Sequence, residues 1–152
     1  MPDFLDDKDR AILNAIQSDF PVCPEPFRQI AEQLQMSTDD VLERIRRLKE
    51  TGIIRRIGAN IAPEKLNYVS TLCAASVPKE KIDVFTKTVN TYPGVTHNYI
   101  RDDKLNVWFT FIASSKEKIE TSLEEISQIT GIRPILNLPA TRVFKISAKF
   151  NV

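Results

Sequence analysis

The stretch Val95–Phe111, VTHNYIRDDKLNVWFTF, constrains the fold more than any other part of the chain. β-Branched and aromatic residues crowd both sides of Asp102-Asp103, the composition of two strands joined by a tight turn. Alternation along a strand sends His97, Tyr99 and Arg101 to one face. Pairing across a two-residue turn sets Arg101 opposite Lys104, Tyr99 opposite Asn106 and His97 opposite Trp108. The other face receives Ile100, Leu105, Val107, Phe109 and Phe111, which is a core. The first face then gathers the chain's only histidine and only tryptophan with a phenol and a guanidinium. So many hydrogen-bonding and titratable groups side by side point to a ligand site. The faces depend on register, since a one-residue slip exchanges them.

The N-terminal half reads as helical. Apolar spacing at Ala11, Ile12, Ala15 and Ile16 predicts a helix over Asp6–Ser18, and Phe27, Ile30, Ala31 and Leu34 predict a second over Phe27–Leu34. Ser37 or Thr38 is the expected N-cap of a third, Asp39–Glu50, carrying Val41, Leu42, Ile45 and Leu48 and stopped by Gly52. Ile53–Ile61, IIRRIGANI, reads as a strand pair or wing. Three helices and a wing make a winged helix-turn-helix over residues 1–61.

From residue 62 to 152 the pattern changes. Tyr68–Val77 reads as a strand and Lys79–Thr91 as a helix. The strand pair around Asp102-Asp103 follows, then a helix over Ser115–Ile129 with Ile119, Leu123, Ile126 and Ile129 on one side. Ile132–Ile146 reads as a last extended region, interrupted by Pro134 and Pro139. The order β-α-β-β-α-β is the ferredoxin-like arrangement, and the whole is an α+β chain of two domains. Two helices cover only one face of such a sheet, so the other face is expected to be buried by dimerisation.

Several function classes are set aside. Four glycines in 152 residues leave no glycine-rich phosphate cradle. No apolar run is long enough for a membrane span, and the acidic start MPDFLDDKDR is not a secretory signal. Cys23 and Cys73 fit no metal or redox spacing, so both read as reduced thiols of a cytoplasmic protein, with Cys73 in the core. Residues 1–61 carry nine Lys and Arg against eleven Asp and Glu, a net charge of −2. DNA binding depends on neutralising phosphates, and the third helix would bring Asp39 and Asp40 to the groove. DNA is therefore not the expected partner, although Arg46, Arg47, Arg55 and Arg56 form a possible phosphate strip. The plainer reading of Arg46 and Arg47 is a solvated helix face.

The layout resembles the Lrp/AsnC family, which joins a helix-turn-helix to a ferredoxin-like ligand-sensing domain. Within it, GIIRRIGANI, VPKEKIDVF, YPGVTHNYIR, NVWFTF and LPATRVFKI resemble the siroheme decarboxylases of the alternative haem pathway and the related haem d1 biosynthesis proteins. The resemblance spans Leu5 to Ile146. It implies a carboxy-lyase that removes carbon dioxide from two acetate side chains of siroheme, giving didecarboxysiroheme, with no cofactor resident on the protein. It also implies a dimer, with a paralogous subunit or with itself, and a helix-turn-helix kept as scaffold.

Siroheme is a flat iron tetrapyrrole ringed by carboxylates. Arg101 and Arg142 are the first candidates to grip them, because guanidinium pairs carboxylate through two parallel hydrogen bonds. Arg55, Arg56 and Lys104 are further candidates. Arg142 has the plainer reading of pairing with a surface carboxylate. Trp108 and Tyr99 offer ring contacts, although aromatic residues on this face also suit a subunit interface. His97 has two readings, a ligand to the substrate's iron or the acid that protonates the departing carbon. Tyr99 is the alternative acid, or orients the substrate. Two other functions compete: a ligand-responsive Lrp/AsnC regulator, and a tetrapyrrole sensor acting through the helix-turn-helix.

Overall fold

The computed structural model describes residues 5–59, 61–146 and 152. It separates into two compact units, Met1–Ala59 with Lys145–Val152, and Asn60–Phe144. Asn60 of the expected wing, and residues 1–4 and 147–151 of the expected domains, lie outside the described residues.

The first unit has three helices. In α1 (Asp7–Ile16), the Asp6 carboxylate accepts the Asp9 N–H while the Asp9 carboxylate accepts the Asp6 N–H, a reciprocal cap that satisfies two orphan donors. α2 (Pro26–Gln33) begins on Pro26, whose missing N–H costs nothing in a first turn. α3 (Thr38–Glu50) is capped by the Ser37 hydroxyl, which accepts the Asp40 N–H. Ile12, Leu13, Ile30, Ala31, Val41, Ile45, Leu48 and Ile54 form the core. The wing is not there: the described residues of Ile53–Ile61 form no strand. Ile54 instead folds back, its side chain buried and its N–H donating to the Leu48 carbonyl at 2.9 Å. That hydrogen bond closes the end of α3 and leaves Arg55 and Arg56 exposed, with no facing strand.

The second unit has the expected βαββαβ order: β1 (Val69–Ala75), α4 (Ile82–Asn90), β2 (Val95–Ile100), β3 (Val107–Ala113), α5 (Lys116–Thr130) and β4 (Ile135–Leu138). The strands are antiparallel and lie in the order β2-β3-β1-β4. Phe85 and Val89 of α4 and Ile119, Leu123 and Ile126 of α5 pack on Cys73, Ala75, Val107, Phe109 and Phe111. Both helices therefore cover one face of the sheet. Burial pushes the Cys73 thiol up to about 12, so it is inert filling.

The expected last extended region shrinks to four residues. Pro134 and Pro139 flank β4, and neither has an N–H to give a ladder. Arg142 thus lies outside any strand, in contrast to the sequence reading, followed by exposed Val143 and Phe144. Its guanidinium lies 4.9 Å from the centre of the Phe144 ring, and among the described residues it forms no ion pair.

Candidate functional site

The strand pair exists, but its turn is not the two-residue turn expected. β2 ends at Ile100 and β3 starts at Val107, leaving the loop Arg101–Asn106. Tyr99 therefore pairs with Trp108, and His97 with Thr110, a shift of two residues from the expected register. A shift of two preserves the faces. An irregularity between Val95 and His97 puts an extra residue in the edge strand there. Ile100 is a correction: it is 65% exposed at the end of edge strand β2, where one neighbour strand flanks it. Val107, Phe109 and Phe111 are buried as expected, while Leu105 is half-buried in the loop.

On the face away from the helices, the His97 and Tyr99 rings stack with centroids 5.9 Å apart and planes 24° apart. The Arg101 guanidinium lies 5.5 Å from the centre of the Trp108 ring, a cation–π contact. The Trp108 indole N–H donates to the Leu105 carbonyl at 2.6 Å, which fixes the ring. The Thr96 hydroxyl meets His97 Nδ1 at 3.0 Å. His97 and Arg101 are exposed and Tyr99 is half exposed, so the chemistry they hold is open to a ligand. Leu72 on β1 and Leu138 on β4 continue the open face as an exposed apolar strip.

The other expected residues are not part of this group. Lys104 sits in the loop, exposed, and does not face Arg101, whose N–H donates to the Asn106 carbonyl at 2.7 Å. Arg142 follows β4, at the opposite edge of the sheet from β2. Arg55 and Arg56 belong to the first unit; Arg56 donates to the Ala59 carbonyl at 3.2 Å. Among the described residues, no group of three or more His, Cys, Asp or Glu could hold a metal ion, and no helix is long and apolar enough to cross a membrane.

Two features escaped sequence reasoning. Asn106 was read only as the partner of Tyr99; its carboxamide instead bonds the Val77 backbone twice, at 2.8 Å each. A lone amide ahead of the apolar run VWFTF is the available signal. The second is Arg44, which bonds Asp6 at 2.7 Å, Asp9 at 2.9 Å and Asp40 at 2.7 Å. Arg47, exposed as expected, also bonds Asp9, and Lys8 bonds Asp40 at 3.1 Å. The Arg44 guanidinium, helped by the Asp9 backbone N–H, holds the Asp6 carboxyl at about 2. Hydrogen bonds from Arg44 and then Lys8 hold Asp40 below its ordinary range. Arg44 and Arg47 of the third helix are thus paired with the protein's own carboxylates, while Arg46 stays exposed.

A three-helix unit followed by a βαββαβ sheet, bare on one face, defines the Lrp/AsnC class of protein. Residues 65–145 match the AsnC-like ligand binding domain, and residues 9–55 the siroheme decarboxylase NirDL-like HTH domain. The chain is 49% identical over 148 residues to the siroheme decarboxylase alpha subunit of Desulfovibrio desulfuricans, covering 97% of this chain and 85% of that one. The crystal structure of the siroheme decarboxylase NirDL in co-complex with an iron-uroporphyrin III analogue aligns with a TM-score of 0.63 at 30% identity, over 91% of this chain and 47% of that one. The Mycobacterium tuberculosis leucine response regulatory protein shares the fold, with a TM-score of 0.82 at 20% identity over 97% of this chain and all of that one. The chain belongs to the siroheme decarboxylase family.

Proposed function

We propose that this chain is a subunit of a siroheme decarboxylase that removes carbon dioxide from two acetate side chains of siroheme to give didecarboxysiroheme, for haem formation. The observation that carries the reading is the open sheet face, where His97, Tyr99, Arg101 and Trp108 meet in a chain 49% identical to a siroheme decarboxylase alpha subunit. The regulator reading is weaker, because the Lrp-type likeness shows only a shared fold and the third helix pairs Arg44 and Arg47 with Asp6, Asp9 and Asp40.

Arg101 is the carboxylate grip. The cation–π contact with the indole leaves the guanidinium N–H groups for a carboxylate. Tyr99 and Trp108 supply an aromatic bed for the macrocycle. Breaking the bond between the acetate carbon and its carboxylate releases carbon dioxide and leaves the electron pair on that carbon. One proton then makes it a methyl group, so the step balances with no oxidant or reductant. His97 or Tyr99 delivers that proton. The Thr96 hydroxyl accepts from Nδ1–H of a protonated His97, the acid form, or meets Nδ1 of either neutral tautomer. The His97 Nε2 atom therefore carries a proton for the acid role or a lone pair for the substrate's iron. A grip strongest on the ground-state carboxylate would oppose reaction, so productive geometry holds the acetate without over-binding it.

Arg142 and Lys104, which belong to the same unit as Arg101, remain the proposed contacts for carboxylates elsewhere on the ring. The partner we propose is a paralogous subunit or a second copy of this chain, seated on the open sheet face. The exposed Leu72 and Leu138, and a NirDL chain of which this one spans 47%, support that pairing. The place of action is the cytoplasm, in keeping with thiols that are both unpaired. An anaerobic absorbance titration of the chain and its partner subunit with siroheme tests the binding. Saturable spectral change, weakened by Arg101→Ala, is expected; a spectrum equal to that of free siroheme at every ratio overturns the reading.

A further inference from the structure

We infer that Asn106 is a positioning residue for Arg101, setting where that cation meets a substrate carboxylate. The inference rests on the role given to Arg101 above. β1 and β3 stay paired as far as Ala75 and Val107. Just beyond, the Asn106 carboxamide takes over the ladder. Its Oδ1 accepts the Val77 N–H at 2.8 Å and its Nδ2 donates to the Val77 carbonyl at 2.8 Å. A side chain thereby reproduces both hydrogen bonds of a backbone pair and fastens the end of the loop to the body of the sheet unit. The Asn106 carbonyl in turn accepts the Arg101 N–H at 2.7 Å, closing the loop at its other end. Between them, the Leu105 carbonyl holds the Trp108 indole at 2.6 Å, and the indole carries the guanidinium.

Arg101 is therefore fixed at its backbone by Asn106 and at its head by Trp108. Both anchors sit on the loop end that the Asn106 carboxamide fastens to Val77. Asparagine suits the place because it offers a donor and an acceptor from one short planar group. Aspartate keeps the acceptor, loses the donor and sets a carboxylate against the Val77 carbonyl. Glutamine keeps both groups but moves them by one methylene.

The test is a double-mutant cycle in the assembled two-subunit enzyme, with kcat and KM for siroheme and the melting temperature read for each variant. Asn106→Ala is expected to raise KM roughly tenfold, as a misplaced grip does, with kcat changed less. In an Arg101→Ala background the same substitution is expected to leave KM where Arg101→Ala puts it, although the melting temperature falls in both backgrounds. The chain's sole tryptophan gives a second readout, since Asn106→Ala shifts Trp108 emission toward that of Arg101→Ala. Equal KM increases in both backgrounds, or an unchanged KM beside Arg101, overturn the inference while leaving the decarboxylase reading intact. A wild-type KM in Arg101→Ala overturns the role of Arg101 itself, and the inference with it. Where Asn106→Ala does not fold, Asn106→Gln carries the same cycle.

Discussion

Asp9, wholly buried, accepts a hydrogen bond from Arg44 at 2.9 Å across the α1–α3 packing. The same guanidinium reaches Asp6 and Asp40, and Arg47 takes the other oxygen of Asp9. A buried carboxylate needs this company, because removing one partner leaves a charge that water cannot reach. Arg44→Met is therefore expected to cost about 3 kcal/mol, near the lower end for a broken buried pair because Arg47 remains. Chemical denaturation of Arg44→Met and of Asp9→Asn/Arg44→Met measures it. A single variant within error of wild type would show that the contact adds nothing.

Acid sensitivity follows from the same group. Asp6 titrates at about 2 in the folded protein, against an ordinary 3.8, chiefly because Arg44 bonds its charged form. A carboxyl depressed on folding stabilises above its unfolded value and loses that contribution as pH falls through the folded one. The melting temperature is thus expected to drop between about pH 4 and pH 2, and Asp6→Asn is expected to flatten that part of the profile. Asp40, depressed by the same arginine, adds in the same direction. Identical slopes for wild type and Asp6→Asn would contradict the assignment.

Gly94 meets the sheet where β2 begins. A Cβ there would run into the Ile112 carbonyl oxygen and come within 2.6 Å of the Phe111 ring, while Ile112 N–H already donates to the Gly94 carbonyl at 2.8 Å. Backbone oxygen cannot step aside as a side-chain tip can. Gly94→Ala is expected to destabilise by roughly 2 kcal/mol, the cost of overpacking, and to weaken protection of β2 amides in hydrogen exchange. A melting temperature equal to wild type would mean that β2 shifts freely.

Alternation puts His97, Tyr99 and Arg101 on one face and pairing adds Trp108, a grouping that survives an error in the loop. The strand-like flanks alone suggest a tight turn at Asp102-Asp103. In the molecule, the Asn106 carboxamide bonds Val77 and the indole bonds Leu105, and these contacts open a longer loop. Neither is local enough for a periodicity argument to see. The displacement was two residues, so side chains kept their faces. The wing failed for a different reason: IIRRI has strand composition, but Ile54 spends its N–H on the end of α3. Arg142 was drawn into a strand by Val143 and Phe144, against the plain warning of Pro139. Helices are the most legible part, because apolar spacing and a cap such as Ser37 speak locally.

His97 and Tyr99 lie exposed on the sheet, so trimming them spares the core. His97→Ala is expected to lower turnover by roughly a hundredfold or more if it is the acid, with the melting temperature unmoved. If it holds the substrate's iron, the same variant changes the absorbance spectrum of bound siroheme as well. Tyr99→Phe removes only a hydroxyl, so a fall in kcat at constant KM marks it as the donor. Near-normal turnover in both variants would remove both from the mechanism.

The most direct measurement is mass spectrometry of siroheme after anaerobic incubation with this chain, alone and with a paralogous subunit. The account predicts a tetrapyrrole that has lost two carboxyl groups as carbon dioxide, its iron and ring intact, in the presence of the complete enzyme. Siroheme recovered unchanged from both incubations would contradict it.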